Sequence, residues 1–228
     1  MKLTHYGKRE IGIAAFTVAA LCALMIYGSV RVCPYIVALL PLPMAVWLFV
    51  VWFFRDPDRQ TPTGEGLFIS PADGNVSDIT QIGPASILGR DGVMVGVFMN
   101  VFSVHVNRSP FDGRIDRVVH KEGAFMDVRD PAAFERNESA SIYMTVTHGG
   151  QEWPIVFRQV AGLVARRIIT DLTPGQQVLR GQRIGMIKFG SRVELYVPRE
   201  LAGKVCVNIG QATRAGETVL VAIAKESS

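Results

Sequence analysis

Arg183-Ile-Gly-Met-Ile-Lys-Phe-Gly-Ser-Arg-Val-Glu-Leu-Tyr-Val-Pro198 is the stretch on which the reading of this chain turns. From Ile187 to Val197 the odd positions are Ile187, Phe189, Ser191, Val193, Leu195 and Val197. Alternation of period two places them on one face of a half-buried strand. Ser191 is the sole polar member of that face, and Gly190 precedes it. Glycine inside a strand marks a bulge or a close backbone approach. Two readings of the inward hydroxyl stand: a serine bonded to a nearby carbonyl, or a Gly–Ser bond that the protein itself attacks.

Upstream, the composition is uneven. Mean hydropathy is +0.25 and 49% of residues are hydrophobic, with the excess at the N-terminus. Ile11 to Val30 is an uncharged run of about 20 residues, long enough to cross a bilayer as a helix. Arg31 interrupts it, and Val32 to Phe54 forms a second apolar run in which Pro34, Pro41 and Pro43 weaken the helical signal. A secretory signal is the competing reading, but the first run is too long, lacks a small-x-small site and is followed by another. The expectation is a membrane anchor over residues 1–54, a transmembrane helical hairpin or a span plus a re-entrant segment. Lys2, Lys8 and Arg9 before it and Arg55 and Arg59 after it place both ends on the cytoplasmic side of the cell (inner) membrane. Cys22, Cys33 and Cys206 form neither a CxxC pair nor a disulfide framework.

After a turn-rich linker over 55–66, residues 67–228 read as one mainly β domain, a compact sandwich or barrel-like unit. Strand-like runs are Leu67–Ile69, Val93–Met99, Arg114–His120, Ser141–Thr147, Glu152–Val160, Val178–Met186, Val193–Val197, Val205–Ile209 and Thr218–Ile223. A short helix is expected over Pro131–Glu138. The segments from Thr173 to Gly185 and from Ile209 to Leu220 resemble each other, each with a Gly-Gln turn, a second glycine and a strand. They suggest a hammerhead-type C-terminal part built from two related hairpins, as in biotinyl- and lipoyl-type domains.

Ser70-Pro-Ala-Asp-Gly74 presents Asp73 in a turn, and His105 stands alone among apolar neighbours in Val101–Pro110. Asp-Gly is ordinary turn chemistry, and an isolated histidine in such surroundings is more often a satisfied core residue. No histidine pair has metal-ligand spacing, so no metal is expected. Neither GxGxxG nor a phosphate-binding loop occurs, and no nucleic-acid partner is expected.

The segments Phe53–Pro57, Ser70–Gly74, Val104–Arg108, Glu135–Glu138, Gln159–Ile168 and Arg183–Arg192 occur in this order. Together they resemble the short form of the phosphatidylserine decarboxylase family, from about Phe53 to the C-terminus. The resemblance implies a pyruvoyl-dependent lyase of phospholipid biosynthesis, made as a zymogen that cuts itself between Gly190 and Ser191. A large chain, Met1–Gly190, and a small one, Ser191–Ser228, would result. Ser191 would become the pyruvoyl cofactor, with no pyridoxal phosphate, and Asp73, His105 and Ser191 would form the catalytic set. A Schiff base between that group and the serine headgroup amine would lead to phosphatidylethanolamine. The implied partners are phosphatidylserine in the bilayer and a second copy in a homodimer.

Histidine suits the role of base for a serine hydroxyl, and an aspartate on its far ring nitrogen would fix the tautomer. Some longer relatives carry another histidine three residues before the triad histidine; here that position is Phe102. A net charge of +4 and an excess of arginine over lysine suit an anionic surface. Arg166, Arg167 and Arg192 are candidate headgroup partners or, equally, solvated charges. Two rival functions remain at this point. One is a membrane-anchored carrier modified on Lys188 at a hairpin tip. The other is a tethered β-domain that binds a partner without catalysis.

Overall fold

The computed structural model describes residues 2–126, 136–162, 168–188 and 190–223. The chain divides into two compact units, 1–58 and 59–228. The first contains α1 (Lys8–Arg31) and α2 (Pro41–Phe53), joined through a 3₁₀ turn over Pro34–Leu39. The helical stretches His5–Arg31 and Pro34–Phe53 are long and apolar enough to cross a membrane. The prolines sit where a helix tolerates them, Pro34 opening the 3₁₀ turn and Pro41 opening α2, because the first helical N–H groups have no intrahelical partner anyway. The two ends of the hairpin meet: Thr4 N–H donates to the Phe54 carbonyl at 2.9 Å, and Asp56 N–H to the Lys2 carbonyl at 2.8 Å. The Arg55 guanidinium lies 3.7 Å from the centre of the Trp52 ring, the aromatic and basic pairing typical of a membrane–water boundary.

The second unit is mainly β. Its described strands are β1 (Leu67–Ile69), β2 (Gly74–Ile82), β3 (Gly92–Met99), β4 (Val106–Arg108), β5 (Gly113–Lys121), β6 (Ser139–His148) and β7 (Gln151–Ala161). They continue with β8 (Ile168–Thr170), β9 (Gln177–Val178), β10 (Arg183–Ile187), β11 (Ser191–Pro198), β12 (Lys204–Val205), β13 (Ala212–Thr213) and β14 (Val219–Ala222). An eight-stranded antiparallel sheet has the order β13-β2-β3-β11-β7-β6-β5-β9. Two three-stranded sheets, β1-β14-β12 and β4-β10-β8, contribute Phe68, Leu220, Ile184 and Ile187 to the core on its inner face.

The two similar C-terminal segments share one construction. Each places a two-residue strand at an edge of the large sheet, β9 at one end and β13 at the other. Each then sends its second strand, β10 or β14, to the centre of a small sheet. The Gly-Gln signature explains the turns. Gln176 N–H donates to the Thr173 carbonyl and Gln211 N–H to the Asn208 carbonyl, while Gly175 and Gly210 hold φ of 85°. That left-handed third position defines a type II turn and favours glycine. Each glutamine side chain then accepts the N–H at the turn's start, Thr173 or Asn208, at 3.1 Å.

Several expectations need correction or qualification. The continuous strand from Ile187 to Val197 is broken: β10 belongs to a small sheet and β11 to the large one. The chain changes sheet at Gly190, whose φ of +56° no strand accommodates. Nor is β11 half-buried, since all of its residues are buried. The run Val178–Met186 likewise divides into β9 and β10 around the turn at Leu179–Gln182. The helix expected over Pro131–Glu138 lies largely outside the described residues. Strand β2 escaped the alternation test because a bulge between Val76 and Asp78 shifts its register.

Gly74, where β2 begins, packs against β3 so closely that an added Cβ would lie 2.0 Å from the Phe98 carbonyl oxygen. Gly74→Ala should therefore force the two strands apart and cost about 1–3 kcal/mol. The corresponding fall in Tm is about 3–10 °C. Thermal unfolding in detergent checks this, and an unchanged Tm would contradict it.

Candidate active site

Ser191 opens β11 and lies opposite Met99 of β3 on one side and Ala161 of β7 on the other. It is fully buried, and its hydroxyl meets the Met99 sulfur at 3.3 Å. Beyond it Val193, Leu195 and Val197 face the core with no exposure, each contributing about 1.5–3 kcal/mol by burial and fixing the strand in register. Gly190, just before it, holds the left-handed conformation that costs an L-residue roughly 1–2 kcal/mol, yet a Cβ there would touch nothing.

His105 is fully buried at the end of the loop after β3, and its carbonyl accepts the Ile187 N–H at 3.3 Å. That bond ties the histidine to β10, four residues before Ser191. Its Nδ1 lies 2.9 Å from the Ser103 carbonyl oxygen. A carbonyl can only accept, so Nδ1 carries the hydrogen and a neutral ring has its basic lone pair on Nε2.

Asp73 stands in the turn between β1 and β2. Both of its carboxylate oxygens are reached by Nη2 of Arg59, at 2.9 and 2.7 Å, and the Ala215 N–H donates to Oδ1 at 2.7 Å. The Ser103 carbonyl thus meets His105 Nδ1, and Asp73 is oriented by Arg59 and the turn Arg214–Glu217.

Asn107 links the segments that carry these residues. Its side-chain nitrogen donates to the Pro71 carbonyl at 3.3 Å and approaches the Met99 sulfur at 3.9 Å, the same sulfur that Ser191 meets. The Arg108 N–H also donates to the Pro71 carbonyl, at 3.0 Å. The turn carrying Asp73, the strand following His105 and the sulfur under Ser191 are therefore pinned to one another. Gln159 donates to Asn107 Oδ1 at 2.8 Å, and the Thr170 hydroxyl donates to Gln159 at 2.9 Å. Buried amides need such partners, so this chain fixes Asn107 in turn.

Sequence reasoning gave no site role to Arg59, Met99, Ser103, Asn107, Gln159 or Thr170, although all but Thr170 were named or lie within the quoted segments. Asn107 follows His105 in Val-His-Val-Asn-Arg, and an asparagine among apolar strand residues was the available signal. Lys188 is buried rather than displayed at a hairpin tip, which removes the basis of the carrier reading. Arg166 and Arg167 lie outside the described residues. Among the described residues, no group of three His, Cys, Asp or Glu side chains could hold a metal ion.

Arg192 is neither a solvated charge nor presented to a headgroup. On the face of β11 opposite Ser191, it donates through Nε to Glu194 at 3.0 Å and through Nη2 to Asp78 at 2.6 Å. Glu194 also accepts the Tyr196 hydroxyl at 2.6 Å and lies 3.9 Å from Arg158. Burial, and then the neighbouring Glu194 carboxylate, push the Tyr196 phenol above its ordinary pKa, so it stays a neutral donor at physiological pH.

The family model for phosphatidylserine decarboxylase matches residues 46–221. A phosphatidylserine decarboxylase proenzyme of Paramagnetospirillum magneticum is 49% identical over 172 residues, covering 74% of this chain and 70% of the relative. The proenzyme of Desulfotalea psychrophila is 38% identical over 214 residues, covering 94% and 93%. That of Syntrophus aciditrophicus is 41% identical over 179 residues, covering 78% and 82%. This chain belongs to the phosphatidylserine decarboxylase family, whose members are pyruvoyl-dependent carboxy-lyases.

Proposed function

We propose that this protein cuts its own Gly190–Ser191 bond, converts Ser191 into a pyruvoyl group and uses it to decarboxylate phosphatidylserine to phosphatidylethanolamine. The observation that carries the reading is the placement of Ser191. It is a buried hydroxyl at the head of a strand locked on both sides, directly after a left-handed glycine where the chain changes sheet. A serine with only a structural role needs no such junction. A scissile bond does, because the carbonyl ahead of it must lie within reach of the hydroxyl behind it.

In the first step His105 Nε2 takes the Ser191 hydroxyl proton as Oγ attacks the Gly190 carbonyl carbon. The peptide C–N bond breaks, the Ser191 nitrogen leaves carrying a proton, and an ester joins the two residues. Loss of the Ser191 α-proton then breaks the Cβ–Oγ bond and releases the Gly190 carboxylate. The dehydroalanine left at position 191 tautomerises, takes up water and loses ammonia. Asp73 acts electrostatically in this account, since Nδ1 already donates to Ser103. Its negative charge, held by Arg59 and the Ala215 amide, favours the imidazolium as His105 receives the proton.

The residues present fit the group they would hold: the Met99 sulfur, Val193 and Ala161 form an apolar, water-poor seat for a ketone. The pyruvoyl ketone, once formed there, would supply an electron sink for the decarboxylation of an amine substrate. His105 would deliver the proton that replaces the departed carboxylate, so the same ring serves maturation and turnover. The helical hairpin tethers the chain to the bilayer in which its substrate resides, with both ends on the cytoplasmic side.

Purified protein should release carbon dioxide from phosphatidylserine in mixed micelles. Borohydride added during turnover should join the substrate covalently to the 191–228 chain. Processed protein that does neither would contradict the reading. His105→Ala should slow cleavage about a hundred- to ten-thousand-fold, as judged by gel over time. Asp73→Asn should slow it only about ten- to a hundredfold, because a tautomer-fixing aspartate would cost nearer ten-thousand-fold. For topology, exposed Cys206 in the second unit should resist an impermeant maleimide in spheroplasts and react after permeabilisation, as read by peptide mass. Labelling of Cys206 before permeabilisation would place the unit outside.

A further inference from the structure

We infer that Arg192 is a positioning residue, a cross-strand clasp that keeps the newly made N-terminal end of the small chain in register after the Gly190–Ser191 bond is cut. The inference rests on the cleavage reading above. Cleavage removes the covalent tie between β10 and the head of β11. Conversion of Ser191 also removes its backbone nitrogen, and with it any ladder hydrogen bond donated there. The residue bearing the electron sink becomes a strand terminus, and strand termini fray. Something must hold it from the side.

Arg192 is placed to do so. Its side chain, 4% exposed, runs from β11 across β3 to β2. There Nη2 donates to Asp78 Oδ2 at 2.6 Å, and Nη1 donates to Asp78 Oδ1 and, at 2.9 Å, to the Ser77 hydroxyl. Nε remains for Glu194 of its own strand. Crossing β3 requires a gap, and Gly96 supplies it: an added Cβ there would lie 2.4 Å from Arg192 Nη2 and 2.5 Å from Asp78 Oδ1. The β2 bulge between Val76 and Asp78 sets the register at which the carboxylate meets the guanidinium. Arg158 balances Glu194, so two cations and two anions share the cluster. Stability alone does not account for such a group, because apolar residues of similar volume often do as well. A planar fork with several donors does account for a fixed position and angle, and lysine cannot reproduce it.

Hydrogen exchange over residues 192–196 tests the clasp in two backgrounds, the processed chain and the uncut Ser191→Ala chain. Arg192→Lys should raise exchange about tenfold or more in the processed protein and less than about twofold in the Ser191→Ala background, where the backbone still tethers the strand. In turnover, kcat should fall with KM little changed. Asp78→Asn removes the negative charge and one of the two acceptor oxygens from the other side and should reproduce the pattern, which keeps the test open if Arg192→Lys does not fold. Equal loosening in both backgrounds would overturn the clasp and leave an ordinary structural ion pair, and no loosening in either would also overturn it. A wild-type chain that stays whole would defeat the cleavage reading itself, an outcome visible before any exchange is measured.

Discussion

The structure depends on β11 being buried on both faces at once. Antiparallel pairing to β3 and β7 seals its edges, the core seals one face, and the charged cluster with Tyr196 occupies the other. Nothing polar can remain on such a strand without a partner. The inner face therefore carries apolar residues except at Ser191, and the outer face carries residues that satisfy one another. Ser191 sits at the one end where the strand stops and the chain crosses to another sheet.

That arrangement makes the small sheets as important as the large one. Strand β10 must end within reach of β11 yet belong to a separate sheet, and β4 beside it carries Asn107 into the contact with Pro71 and Met99. The repeated Gly-Gln turns let two short segments each span from an edge of the large sheet to the centre of a small one. The second repeat also delivers the Ala215 amide to Asp73. Residues far apart in sequence thus reach the site through turns whose chemistry is local.

Much of this was legible in the sequence. The apolar runs gave the two N-terminal helices, and period-two alternation located most of the long strands. The segments around Asp73, His105 and Ser191 pointed to the family. What was not legible has physical causes. Alternation continues through Lys188, Phe189 and Gly190, so only backbone conformation reveals that the strand breaks there. The bulge at Ser77 hides β2 for a related reason. The partners of Asp73 and His105 could not be read, because Arg59 reaches back from the linker and Ser103 contributes only a carbonyl, which every residue has. Arg192 looked like a surface charge because its acceptor, Asp78, lies more than a hundred positions earlier in the chain.

Intact mass of freshly purified protein under denaturing conditions tests the central claim most directly. The account predicts two chains, 1–190 and 191–228, the small one lighter by one ammonia than a peptide beginning with serine. A single full-length chain from correctly folded material would contradict it.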